Sequence, residues 1–185
     1  MQSLDSVEAV FKLLAAGGGE AYFGEPVTVL EHSLQAAWFV RRKGGSEALV
    51  AAALLHDIGH LMHEEGEGAA DRGVDTRHEE LGAEALAKHL PETVLEPIRM
   101  HVDAKRYLCG SDARYFATLS PASVQSLALQ GGPMSSEEKH AFLELTYAQD
   151  AIVLRHADDA AKVANLKTPE LEAYRPLVER LWRAA

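Results

Sequence analysis

Six residues with metal-binding side chains are spread through the chain in the order His32, His56, Asp57, His78, His101 and Asp158. The adjacent pair His56-Asp57 closes an apolar run, AALLHDIGH at 52–60. Two ionisable groups at the end of an apolar helix need a reason to be there, because desolvating them without partners is costly. Metal ligation supplies that reason. Histidine with carboxylate suits borderline and hard ions, iron and manganese among them; thiolate, which would favour zinc, is absent from the set. Neighbouring residues on a helix point about a hundred degrees apart, so the doublet can serve two metals, or one if the helix bends there. Asp57 is the natural bridge, since a carboxylate offers two oxygens where an imidazole offers one ligating nitrogen. His32, His56 and Asp158 then belong to the first metal, His78 and His101 to the second. Of the other histidines, His63, His89, His140 and His156 carry no such expectation.

These residues must be positioned by helices. Residues 4–16 read as a helix with Val7, Val10, Phe11 and Leu14 on one face, ended by Gly17-Gly18-Gly19. AYFGEP (21–26) is a loop leading into a helix over 27–42 that carries His32. Ser46 is a fitting N-cap for a third helix, rich in Ala and Leu through Leu55. A polar loop follows over 64–75. Thr76 and Glu79 have capping-box spacing, which puts His78 in the first turn of a helix reaching Leu90. Pro91 opens the next helix, which ends near His101; residues 105–119 show no clear pattern. Ser120-Pro121 starts a helix and Gly131-Gly132-Pro133 stops it. A second capping box, Ser135 with Glu138, opens a long helix that carries Asp158 near its end, and a last helix follows Thr168-Pro169. No β-branched alternation is present. The reading is all-α, about eight helices in a single domain over residues 1–185.

The net charge of −10 argues against nucleic-acid binding, which needs cations against phosphates. No apolar run approaches the length of a membrane span. The N-terminus lacks the basic and apolar segments of a secretory signal, so a cytoplasmic location is expected. The single Cys109 cannot form an internal disulfide, which fits a reducing compartment. The protein is expected to be a monomer acting on a small molecule.

The order His32, His56-Asp57, Asp158 resembles the HD-domain superfamily, mostly phosphohydrolases, and His78 and His101 match the minority with two further histidines. Three stretches narrow the resemblance: AYFGEPVTVLEHSLQAA (21–37), MHVDAKRYL (100–108) and LSPASVQSLALQGGPMS (119–135). They are similar to phosphonate-cleaving oxygenases of the PhnZ and TmpB type, relatives of myo-inositol oxygenase. The similarity runs from Tyr22 to about Lys167. It implies a helical HD domain holding a mixed-valent Fe(II)/Fe(III) pair on His32, His56, Asp57, His78, His101 and Asp158, with O2 as co-substrate. It implies Asp158 rather than Asp159 as the last ligand, because Asp158 stands four residues before Lys162. It implies that Tyr22 caps the O2-binding iron at rest, that Glu25 is its hydrogen-bond partner, and that His60 lies near the substrate. Lys105, Ser123 and Arg155 would hold the phosphonate, with Gln125 a further candidate. A dianion needs such cations and hydroxyls, and Ser123 lies in a helix's first turn, where free N–H groups also favour an anion. The implied reaction is oxidative C–P cleavage of a 1-hydroxy-2-aminoethylphosphonate or its N-trimethylated analogue, giving phosphate with glycine or glycine betaine. The alternatives are a metal-dependent phosphohydrolase or phosphodiesterase, a partner-binding module without chemistry, and a polyol oxygenase of the inositol type.

Overall fold

Side-chain oxygens start the helices that matter most. Thr28 and Glu31 form a reciprocal capping box at 3.2 Å and 2.8 Å, which opens α2 (Val29–Arg42). Ser46 accepts from Leu49 N at 3.2 Å and opens α3 (Glu47–Leu55). The computed structural model describes residues 4–62 and 67–183. Ahead of α2 lies α1 (Val7–Gly17). After α3 come α4 (His78–Leu86), α5 (Glu92–Ser111), α6 (Ala113–Thr118) and α7 (Pro121–Leu129). The chain ends with α8 (Ser136–Leu143), α9 (Ala148–Ala160) and α10 (Arg175–Leu181). Short 3₁₀ turns occupy Ile58–Leu61, Glu67–Arg72 and Leu171–Tyr174. The described residues contain no strand, only an isolated antiparallel bridge between Ala21 and Thr28. The fold is all-α, and no helix in the described residues is long and apolar enough to cross a membrane.

The core forms around α3, buried along its whole run from Leu49 to Leu55. It packs against α2, α5 and α9, and α9 in turn packs against α2 and α5. The alanines Ala36, Ala37, Ala51, Ala52 and Ala53, all fully buried, let these helices approach closely. The sharpest approach is at Gly59, where an added Cβ would lie 2.0 Å from the His78 carbonyl oxygen. That contact lays the start of α4 directly on the turn after α3.

Four sequence expectations change. The Thr76 capping box does not form; α4 is preceded by Arg77 in left-handed geometry (φ 47°), with Asp75 accepting from Arg77 N at 3.2 Å. The loop over 64–75 contains the 3₁₀ turn from Glu67, while 64–66, like His63, lie outside the described residues. The helix from Glu92 does not stop near His101 but runs to Ser111, because Met100 and Ala104 continue its buried face into a second apolar cluster with Met134, Phe142, Ala148 and Ala151. The long helix from Ser135 is two helices. Positions 142 and 148 would point about 120° apart on one helix, and the break lets Phe142 and Ala148 enter the same cluster. This split, with α6 as a further short helix in the segment that showed no pattern, brings the count among the described residues to ten α-helices rather than eight.

Candidate metal centre

His32 lies in α2, His78 opens α4, His101 sits midway along α5, and Asp158 falls in the last turn of α9. The doublet stands where α3 stops. His56 keeps helical angles, but Asp57 turns to φ −101°, ψ 9° and starts the 3₁₀ turn at Ile58–Leu61. The chain therefore bends at the doublet, and both side chains face the interior. The six residues are between 0% and 7% exposed.

Their ligating atoms converge. His32 Nε2 and His56 Nε2 lie 3.2 Å apart, at 3.5 Å and 3.4 Å from Asp57 Oδ2. His78 Nε2 and His101 Nε2 lie 3.1 Å apart, at 3.4 Å and 3.8 Å from the other oxygen, Asp57 Oδ1. Two triads result, His32–His56–Asp57 and Asp57–His78–His101, sharing one carboxylate. Asp158 Oδ1 approaches the first at 3.4 Å from His32 Nε2. Asp159 points away, bonded by Arg155 and by the Tyr115 hydroxyl at 2.6 Å.

The donor chemistry fits a metal pair. His32 Nδ1 meets Ala161 O at 2.9 Å, His56 Nδ1 meets Ala53 O at 2.9 Å, and His101 Nδ1 meets Ile98 O at 2.7 Å. A carbonyl only accepts, so each Nδ1 carries the proton and each Nε2 is left as a bare lone pair. Bare nitrogens at such separations repel unless a cation lies between them. Burial pushes His56 and His101 down, which disfavours a proton as that cation. Burial opposes ionisation of Asp57 too, but the surrounding imidazoles, His56 foremost, outweigh it and hold the carboxyl well below its usual range. Burial likewise opposes Asp158, and Arg155 outweighs it. Four imidazoles around two buried carboxylates can hold two hard or borderline divalent or trivalent ions.

Tyr22 covers the first triad. Its hydroxyl donates to Asp57 Oδ2 at 2.8 Å, and its ring stacks on His32 with centroids 3.8 Å apart. Burial, then Asp57, raises the phenol well above its ordinary value, so it stays a donor. A tight turn presents it: Glu25 N bonds Tyr22 O at 2.8 Å across Phe23 (φ 44°) and Gly24 (φ 73°), both left-handed. Glu25 is not the acceptor of the Tyr22 hydroxyl, as expected from sequence; its carboxylate faces Lys162 Nζ at 3.2 Å. His60 stacks on His78, centroids 3.8 Å apart, and borders the cavity.

That cavity, about 560 Å³, opens on Asp57, His78 and His101 and gathers three cations, Lys105, Arg155 and Lys162. Lys105, one turn beyond His101, is buried and donates to Ser126 Oγ at 2.9 Å. Burial, then Arg155, lowers its ammonium to about 7. Arg155 donates to Asp158 Oδ2 at 2.8 Å, to Asp159, and to the Tyr115 hydroxyl at 3.2 Å. Ser123 Oγ accepts from Lys162 Nζ at 3.3 Å. Gln125 lies at the rim, donating to Asp71 Oδ1 at 2.9 Å, away from these cations. Sequence reasoning did not assign Lys162, Ser126 or the Tyr115–Asp159 clamp. Only Lys162 left a signal, its four-residue distance from Asp158.

Residues 29–162 match the family model described as HD domain. The chain belongs to the HD domain family. Among curated proteins it is 42% identical to the 1-hydroxy-2-(trimethylamino)ethyl phosphonate dioxygenase (glycine-betaine-forming) of Leisingera caerulea, over 95% of this chain and 89% of that protein. It is 43% identical to the hydroxymethylphosphonate dioxygenase of Gimesia maris, over 95% of this chain and 87% of that protein. An uncharacterized protein of Acanthamoeba polyphaga mimivirus is 32% identical over 96% of this chain and 82% of its own length. This HD-domain protein thus combines a buried two-triad cluster with a cavity beside it that gathers Lys105, Arg155 and Lys162.

Proposed function

We propose that this chain is a mixed-valent di-iron oxygenase that uses O2 to cleave the C–P bond of a small phosphonate with a hydroxyl on the carbon next to phosphorus. The substrate is 1-hydroxy-2-aminoethylphosphonate or its N-trimethylated analogue, and the products are phosphate with glycine or glycine betaine. The observation that carries this reading is the pairing of a bridging-carboxylate cluster with a cavity holding Lys105, Arg155 and Lys162. The names of two relatives, both dioxygenases of hydroxylated phosphonates, support it. A phosphohydrolase would need the same cluster, but those relatives favour oxygen chemistry over hydrolysis. The net charge of −10 disfavours polyanionic partners, and the reading takes the protein as a cytoplasmic monomer.

His32, His56, Asp57 and Asp158 would hold one iron, and Asp57, His78 and His101 the other. When bound, the pair supplies Lewis acidity and one-electron chemistry toward O2. Lys105 and Arg155 attract the phosphonate, and Ser123 donates a hydroxyl to it near the N-terminus of α7. Because Arg155 also bonds Asp158 and Asp159, it orients the anion with a fork already fixed. His60, stacked on His78, limits where the substrate carbon can sit. Tyr22 closes the His32 face at rest and must leave Asp57 to uncover it. Glu25, paired with Lys162, anchors the turn that carries Tyr22. Gln125 meets the substrate's tail at the rim.

The test is phosphate release from 1-hydroxy-2-aminoethylphosphonate and its N-trimethyl analogue by iron-loaded protein, with and without O2. The expected result is release of one phosphate per O2 consumed. Release that continues under strict anaerobiosis would overturn the proposal in favour of hydrolysis.

A further inference from the structure

The outward nitrogens of the four cluster histidines are not served alike. Three meet neutral backbone carbonyls, at Ala161, Ala53 and Ile98. The fourth, His78 Nδ1, faces a carboxylate: Glu79 Oε2 lies 3.4 Å away, and the Glu79 side chain is only 10% exposed. That Oε2 is itself buried and accepts no hydrogen bond. Burying a carboxylate oxygen without a donor is costly, and the nearby imidazole N–H is the group that can relieve it. The exposed neighbour Glu80 shows no such arrangement and pairs with Arg77 at the surface.

We infer that Glu79 is a positioning residue that fixes His78 with its proton on Nδ1 and places a negative charge behind the Asp57–His78–His101 side of the cluster alone. This rests on the proposal that two irons bind there. An imidazole hydrogen-bonded to a carboxylate is a stronger electron donor than one bonded to a carbonyl, and a buried anion favours the more highly charged ion next to it. The consequence is that iron on the His78–His101 side would be held as Fe(III) more firmly than it would be without Glu79. A mixed-valent pair requires its two sites to differ; Asp158, paired with Arg155, would make one difference on the His32 side, and Glu79 another on the His78 side.

The experiment compares wild-type protein with Glu79→Gln, Glu79→Asp and the control Glu80→Gln after loading with ferrous iron and partial oxidation. Metal content is measured first; a wild type that holds fewer than two irons defeats the di-iron reading, whatever Glu79 does. With two irons present, the half-reduction point of the pair is read by an EPR-monitored redox titration. Removing the charge in Glu79→Gln should lower the preference for Fe(III) about tenfold, a rise of about 59 mV for a one-electron couple. Glu79→Asp should recover most of that change, and Glu80→Gln should produce none. Equal shifts in the Gln and Asp variants, or no shift in either, would overturn the inference. A measurement on the wild type stands should Glu79→Gln fail to fold. In protein loaded with zinc, the Nδ1 proton of His78 should resonate downfield of those of His32, His56 and His101, and a shift matching theirs would equally overturn it.

Discussion

Lys105 lets the charge in the cavity be tested on stability and turnover at once. Its side chain is buried beside Arg155, and its ammonium is lowered from 10.5 to about 7. A base with a lowered folded value costs stability wherever it is charged in both states. The cost is complete below pH 7 and fades as pH rises from about 7 toward 10.5, where the unfolded lysine also loses its proton. The difference corresponds to about 5 kcal/mol as an upper bound, because relaxation and the bond to Ser126 offset part of it. Lys105→Met keeps the aliphatic volume and removes the charge. Even 2 kcal/mol of relief should raise Tm by about 4–8 °C at pH 6 for a chain of this size, and the gain should shrink at pH 9. The same variant should lose turnover. A charge-assisted hydrogen bond to the phosphonate is worth about 1.5–3 kcal/mol, so kcat/KM should fall about 10- to 150-fold. In the wild type, kcat/KM should decline above pH 7, since only about a tenth of the lysine is charged at pH 8. Differential scanning calorimetry at pH 6 and 9, with phosphate-release kinetics over the same range, measures both effects. A variant that melts lower at pH 6, or a wild-type profile that stays flat from pH 6 to 9, would refute the argument that a buried charge is held here for the anion.

Two further perturbations probe the cluster and its support. Asp57→Asn removes the shared charge between the triads and should cut iron content from about two to one or fewer per chain by elemental analysis; Asp158→Asn should weaken the His32 side, while Asp159→Asn leaves iron content unchanged. Gly59→Ala drives a Cβ to 2.0 Å from the His78 carbonyl, so the backbone must move; a loss of about 1–3 kcal/mol is expected in urea melts, with weaker iron retention, and a neutral melt would show that α4 can slide.

Much of this was legible in the residues. The apolar run ending at His56-Asp57, the caps at Ser46, Ser120 and Ser135, and the absence of alternating β-branched segments already pointed to an all-α scaffold around clustered histidine and aspartate side chains. What failed was local and has local causes. The spacing of Thr76 and Glu79 looks like a capping box, yet Arg77 takes a left-handed conformation where Gly59 lets α4 press against the turn. The segment after His101 hides its helix because Lys105 and Arg106 interrupt the apolar pattern. Lys105 is buried through Ser126 and the cavity, and Arg106 is half-buried against Asp103 and Glu138, partners up to 32 positions away.

By itself, then, the amino-acid sequence determined which chemistry is available: histidine and carboxylate ligands without thiolate, cations near them, and helices to carry both. Only the tertiary structure decided the allocation. It gave one oxygen of Asp57 to each histidine pair, turned Asp158 inward and Asp159 onto Arg155, moved Glu25 from Tyr22 to Lys162, and set Glu79 behind His78 alone. The physical reason is that ligand identity is a property of single residues. Which atom faces which neighbour depends on where a helix ends and how closely two helices approach, and packing across the whole chain settles both.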